Sequence, residues 1–208
     1  MILKLLRNLI LPAALMALAA NAAQAQDLPT AAEARKNLFK TGKRATIVRI
    51  LVPDLVPAPY KTALEKAASV QKYYEAMAAS PSEGMLAASA SHAANHHSAA
   101  AAHEAAISGC NAKKKSGSKS CVVVAEFLPK AYEGPRDFSL SANATEAFGM
   151  SYRRARGDKA FAISPQTGNW GEAVKASSLE AARAEALSAC AAKAAKAGAK
   201  DCVLVSEN

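Results

Sequence analysis

The sequence predicts an α+β fold: duplicated units of β-hairpin, helix and strand, each with an extra preceding helix and one disulfide inside the unit. Three observations predict it. The four cysteines fall into two similar spacings, Cys110-x10-Cys121 and Cys190-x11-Cys202. Each pair has the same surroundings, an alanine-rich stretch running into the first cysteine and a Cys-Val strand opening at the second. The composition also suits a folded chain, with 51% hydrophobic residues, 21% charged residues and a mean hydropathy near zero. That balance excludes a disordered tail and a membrane bundle. A length of 208 residues allows one or two domains and excludes a large cofactor enzyme of several hundred residues.

The chain divides into four segments. Residues 1–25 read as a secretory signal peptide. Lys4 and Arg7 supply the positive start, Leu9 to Ala20 the short apolar core, and Ala23-Gln24-Ala25 a small-residue cleavage site. The apolar core falls short of the roughly 20 residues a spanning helix needs, so cleavage near Ala25 is expected rather than a membrane anchor. Residues 26–57 form a cysteine-free half unit, a helix plus a strand. Residues 58–129 form the first repeat and 130–208 the second, with Pro129 to Pro135 as the joint.

The second repeat is the clearer. Ala160–Ser164 reads as an apolar strand, 165–169 as a turn, and Trp170–Lys175 as the return strand. Ser177 and Glu180 read as a capping box. Leu179, Ala182, Ala186 and Cys190 then recur at helical spacing, Gly198 stops the helix, and Cys202–Val205 reads as a buried strand. The first repeat matches it in Ser98 to Cys110 and in Ser120–Val124, with Met85–Ser89 as the counterpart of the first strand. A capping box at Thr62 to Glu65 predicts a helix to about Ala79, and Ser141–Arg154 is its counterpart. Thr46–Pro53 mirrors Val122–Pro129 more faintly.

An even cysteine count in an exported chain points to disulfides. The repeated spacing selects Cys110–Cys121 and Cys190–Cys202, each worth about 3 kcal/mol in the chain-entropy model. A four-thiolate zinc site would need much shorter C-x2-4-C spacings.

The run from Ala160 to Gly171, the alanine-rich helix ending in Cys190, and Asp201-Cys202-Val203-Leu204-Val205 resemble a small uncharacterised module of secreted bacterial proteins, a domain of unknown function. The likeness covers about 160–206. Residues 85–127 depart from it, because Ala94-Asn95-His96-His97 stand where the module has Trp-Gly. The resemblance implies the fold and export, and implies no catalytic residues.

Candidate chemistry is sparse. His92, His96, His97 and His103 share one stretch, and His92 and His96 lie one helical turn apart, a spacing zinc, copper or nickel can use. Glu104 is the one adjacent carboxylate, so a solvated cluster is the competing reading. The sequence has no G-x-S-x-G elbow, no H-E-x-x-H and no phosphate-binding glycine loop. Ser164 is expected to organise a turn. No cofactor is expected. The formal charge of +9 is the remaining lead. Lys113, Lys114 and Lys115 decorate one disulfide loop, Lys193, Lys196 and Lys200 the other, and Arg153, Arg154 and Arg156 precede the second hairpin. Cations near helix C-termini also suit the helix dipole without a partner. Trp170, the single tryptophan, serves either as an exposed anchor or as core.

These readings converge on a periplasmic or secreted binding protein of the bacterial envelope. The expected partner is an anionic envelope component or another envelope protein, with no nucleic acid and no transmembrane helix in the mature chain. The alternatives are a metal-binding protein using His92–His103 and an enzyme without a recognisable motif.

Overall fold

A computed structural model of the chain describes residues 27–208, so the expected leader at 1–25 lies outside the described residues. Helix α1 (Ala31–Asn37) and strand β1 (Thr46–Ile50) come first. The first unit follows: α2 (Ala58–Ala68), β2 (Glu75–Ala79), β3 (Ser91–Ala93), α3 (Ala99–Asn111) and β4 (Val122–Pro129). The second is α4 (Ala142–Met150), β5 (Lys159–Ile163), β6 (Trp170–Val174), α5 (Leu179–Ala194) and β7 (Val203–Glu207). Two antiparallel sheets result, ordered β1-β4-β2-β3 and β6-β5-β7. In both units the first strand of the hairpin lies between its hairpin partner and the strand after the helix. Even the irregularity is shared, because the register slips between Met77 and Ala78 in one unit and between Phe161 and Ala162 in the other.

Side-chain size explains the layering. Successive strand residues face opposite sides of a sheet. Ala76, Ala78 and Ala93 face α3, and Ala160, Ala162 and Ala173 face α5. The helices answer with Ala102, Ala106, Cys110 and Ala182, Ala186, Cys190, four residues apart on one stripe. With little beyond a methyl group on either side, helix and hairpin come close. The other face of each sheet carries larger groups. Met77 and Val124 pack with Val56, Met85 and Leu64 beneath α2. Phe161 packs with Phe138, Phe148 and Tyr152 beneath α4 and the 3-10 turn after it.

The ends of the helices follow from single residues. Ser98 Oγ accepts from the N–H of Ala101, Ser141 Oγ from Ala144 and Ser178 Oγ from Ala181. Each such cap is worth about 1 kcal/mol. Gly198, at φ 76°, closes the turn after α5 in the left-handed conformation that glycine adopts without strain. The cap of α5 is thus Ser178 rather than Ser177, and Glu180 takes no part in it.

Three further expectations are corrected. The helix expected from Thr62 to about Ala79 starts at Ala58, behind Pro57, and stops at Ala68. The segment Glu75–Ala79 is strand β2, because pairing with β3 and β4 overrides the helical preference of its alanines. Met85–Ser89 is not a strand. It belongs to the long hairpin connection, where Met85 is buried and Ser89 Oγ donates to Glu83 Oε2 at 2.5 Å. The counterpart of Ala160–Pro165 is therefore Ala76–Pro81, with Ser80-Pro81 matching Ser164-Pro165. Finally, the strand expected buried at Cys202–Val205 is the edge strand β7, on which Val203 is 46% exposed and Ser206 fully buried.

The N-terminal segment ties both units together. Strand β1 pairs with β4 of the first, whereas the N–H of Ala31 donates to Asn208 Oδ1 at 2.8 Å in the second.

Candidate functional site

Disulfides Cys110–Cys121 and Cys190–Cys202 join the last turns of α3 and α5 to the strand that follows, one in each unit. All four cysteines are thereby oxidised, and no thiolate is present for nucleophilic or metal chemistry.

The histidine stretch is dispersed by the hairpin. His92 lies on β3 with Nε2 3.1 Å from Glu75 Oε2. His103 lies on α3 with Nε2 2.7 Å from Glu126 Oε2, a carboxylate that also has Arg49 at 4.0 Å. His96 and His97 occupy the connection from β3 to α3. His97 Nδ1 accepts from the N–H of Ser141 at 3.0 Å, and its Nε2 donates to Asn169 O at 2.9 Å. That pair of contacts requires the neutral ring with its proton on Nε2. Burial pushes its pKa down to about 4. Burial also lowers that of His96, whose Nδ1 meets no partner among the described residues. Three of the imidazoles thus serve separate contacts, and the described residues hold no group of three or more histidine, cysteine or carboxylate side chains able to bind a metal ion. The helical spacing of His92 and His96 failed as a guide because that stretch is strand and loop.

His97 does hold the units together. Its partners are the N-cap of α4 and the turn between β5 and β6. Tyr73 Oη donates to Thr145 Oγ1 at 3.0 Å, Ser139 Oγ donates to His97 O at 2.8 Å and lies 2.9 Å from Tyr74 Oη, and Lys72 pairs with Glu146 at 2.9 Å along the same junction. A shallow cleft of about 570 Å³ opens beside it, between α3 and the turn at Pro165 to Thr167. Of the groups lining it, Ser98 caps α3 and Thr167 Oγ1 donates to Ser164 Oγ at 2.9 Å, at the turn behind the cleft. Ser164 Oγ donates to Asp201 Oδ1 at 2.5 Å, and the other carboxylate oxygen accepts from the N–H of Gln166 at 2.7 Å. No imidazole among the described residues bonds Ser164, so it organises the turn.

The lysine loop is partly self-satisfied. Lys114 Nζ donates to Ser118 O at 2.7 Å, and the main-chain N–H of Lys115 donates to Glu83 Oε1 at 2.8 Å. Hydrogen bonds from Ser118, Ser89 and that N–H hold the Glu83 carboxyl down to about 2. The ammonium groups of Lys113, Lys115 and Lys119 point outward from exposed residues. Trp170 is half-buried, stacked on Phe161 with centroids 5.4 Å apart, and Lys193 Nζ lies 4.0 Å from its ring centroid. This arrangement belongs to core packing rather than to an open aromatic anchor.

No protein-family model, curated protein or solved structure matches this chain. The site must therefore be read from its own residues. Among the described residues no helix is long and apolar enough to cross a membrane. One cationic grouping escaped the sequence reading. Lys40, Lys43 and Arg44 meet Lys130 and Arg136 around a single recess. Lys40, Lys43 and Arg44 are neighbours in the sequence; Lys130 and Arg136 come from a segment about ninety positions on, brought beside them by the pairing of Thr46 with Pro129.

Proposed function

We propose that the protein is exported and acts in the bacterial envelope by binding, with its cationic surface engaging an anionic component of that compartment. The observation that carries this reading is the pair of disulfides closing short loops, since such bonds persist in oxidising compartments. The leader-like residues 1–25 agree with it. Outward-facing Lys113, Lys115 and Lys119, on a loop stiffened by one of those bonds, supply the contact charge. Ser98, Ser141 and Ser178 meanwhile cap helices, Ser164 and Asp201 hold a turn, and His97 links the units.

Fractionation with intact-mass measurement tests the location. The expected product begins near Gln26 and weighs four hydrogens less than the reduced chain. A product retaining Met1 with reduced cysteines overturns the reading. Sedimentation with phosphatidylglycerol vesicles tests the contact: charge reversal at Lys113, Lys114 and Lys115 is expected to weaken association, and unchanged binding at low and high salt alike refutes a role for the loop.

A further inference from the structure

The recess bounded by 38–45 and 129–136 is both concave and strongly cationic. Its volume is about 690 Å³, within the range of small-molecule sites. Five cations line it, with no carboxylate among the lining residues. Lys40, Lys43, Arg44, Lys130 and Arg136 are all exposed, and none forms an ion pair with the described residues. Like charges converging in this way repel one another, a cost that an anion in the recess relieves.

The walls are fixed rather than fortuitous. The N–H of Lys130 donates to Ala45 O at 2.8 Å, extending the β1–β4 ladder to the lip of the recess. Gly42 and Arg44 both have positive φ, 108° and 59°, and the turn they make is held by the N–H of Arg44 donating to Ser69 O at 3.0 Å. A non-glycine residue in that conformation is uncommon, and here it turns an arginine toward the cavity. The floor is Phe39, buried against the rings of Tyr73, Tyr74 and Tyr132. Arg136 lies over it at 3.5 Å from the ring centroid, and its Nη1 donates to Asn37 O at 2.7 Å. A stacked guanidinium tied at one nitrogen keeps its orientation and still presents further N–H donors.

We propose that this recess binds a multiply charged phosphate group, the chemistry common to a phosphorylated lipid headgroup and a soluble diphosphate. The planar fork of Arg136 suits bidentate phosphate contact, and four further cations exceed what a single carboxylate would neutralise. The assignment rests on the envelope-binding reading only for the source of the ligand, since the recess and its charge stand without it.

The full mature, oxidised chain is titrated calorimetrically with inorganic pyrophosphate at low salt, and separately sedimented with vesicles containing phosphatidic acid, whose phosphomonoester carries more than one charge. Pyrophosphate is expected to bind, to shift the amide resonances of 38–45 and 129–136, and to bind at least about tenfold more weakly to the variant carrying Lys43→Glu and Lys130→Glu. Lys66→Glu with Lys175→Glu, both exposed and outside the recess, is the control and is expected to leave pyrophosphate binding unchanged, while Lys113→Glu with Lys115→Glu is compared on vesicles. Vesicle capture lost in the Lys43/Lys130 variant identifies a lipid headgroup as the source; pyrophosphate binding without vesicle capture identifies a soluble ligand and removes the envelope reading while the recess stands. Neither probe binding, pyrophosphate shifts lying elsewhere, or wild-type affinity for both probes in the Lys43/Lys130 variant overturns the proposal. If only the Lys113/Lys115 variant loses vesicles, the loop is the contact and the recess is not.

Discussion

The two helix-on-hairpin interfaces solve one packing problem with opposite residues. In the first unit, helix α3 carries Gly109 where strand β3 carries Ser91. In the second, α5 carries Ala189 where β6 carries Gly171. A methyl group on Gly109 would stand 2.5 Å from Ser91 Oγ. One on Gly171 would run into the main chain of α5 at Ala186 O and Cys190 N. At this point one element of each unit lacks a side chain, the helix in the first and the strand in the second. The lesson is that the close approach, rather than the residue or the element that permits it, is what the units share. On the far faces they diverge, with Met77 and Val124 beneath α2 against the aromatic set around Phe161.

The disulfides give the largest test of this equivalence. They close loops of nearly equal length, with separations of 11 and 12. Replacing both cysteines of either pair by alanine should therefore cost about 3 kcal/mol by urea unfolding, with little difference between units. A large inequality would show that the two loops are constrained differently in the unfolded chain.

Acid comes next, because His97 occurs at the junction in the first unit only. Its folded pKa of about 4 lies below the ordinary value of 6.5. The unfolded chain then binds the extra proton first, so stability should be full above pH 6.5 and fall between 6.5 and 4, by roughly 2–3 kcal/mol. The variant His97→Gln should lose stability at neutral pH and lose most of this slope, as read by urea titrations across that window.

The glycines sharpen the comparison directly. Gly171→Ala meets backbone and should cost about 2–3 kcal/mol. Gly109→Ala meets a hydroxymethyl that can rotate, and should cost about 1 kcal/mol. The smallest effect is the most informative. Combining Gly109→Ala with Ser91→Gly copies the second unit into the first, so the double variant should lie within about 1 kcal/mol of the parent, less than the single changes sum to. Simple additivity in the double-mutant cycle would break the equivalence of the two interfaces.

Much of this architecture is legible in local sequence. Ser98 and Ser141 cap their helices where a serine precedes an alanine run, Gly198 ends α5, and the matched cysteine spacings fix the pairing. The errors cluster at 58–89. There Ala76, Ala78 and Ala79 have a residue type that favours helix, and the real match, Ser80-Pro81 with Ser164-Pro165, was masked by a longer hairpin connection. The site was less legible still. Nothing near His97 announces Ser141 or Asn169 as its partners, and nothing near Lys43 announces Lys130 or Arg136.

What the sequence determined by itself was everything set within a few residues: caps, stops, the alternation of small and large groups, and which cysteines share a loop. The tertiary structure alone decided that Glu75–Ala79 is a strand, that His97 is a buried neutral link, and that five cations surround Phe39. Each of these depends on pairing between segments far apart in the chain. Hydrogen-bond ladders and burial act through space, and their energies outweigh the fraction of a kcal/mol by which a single residue prefers one local conformation.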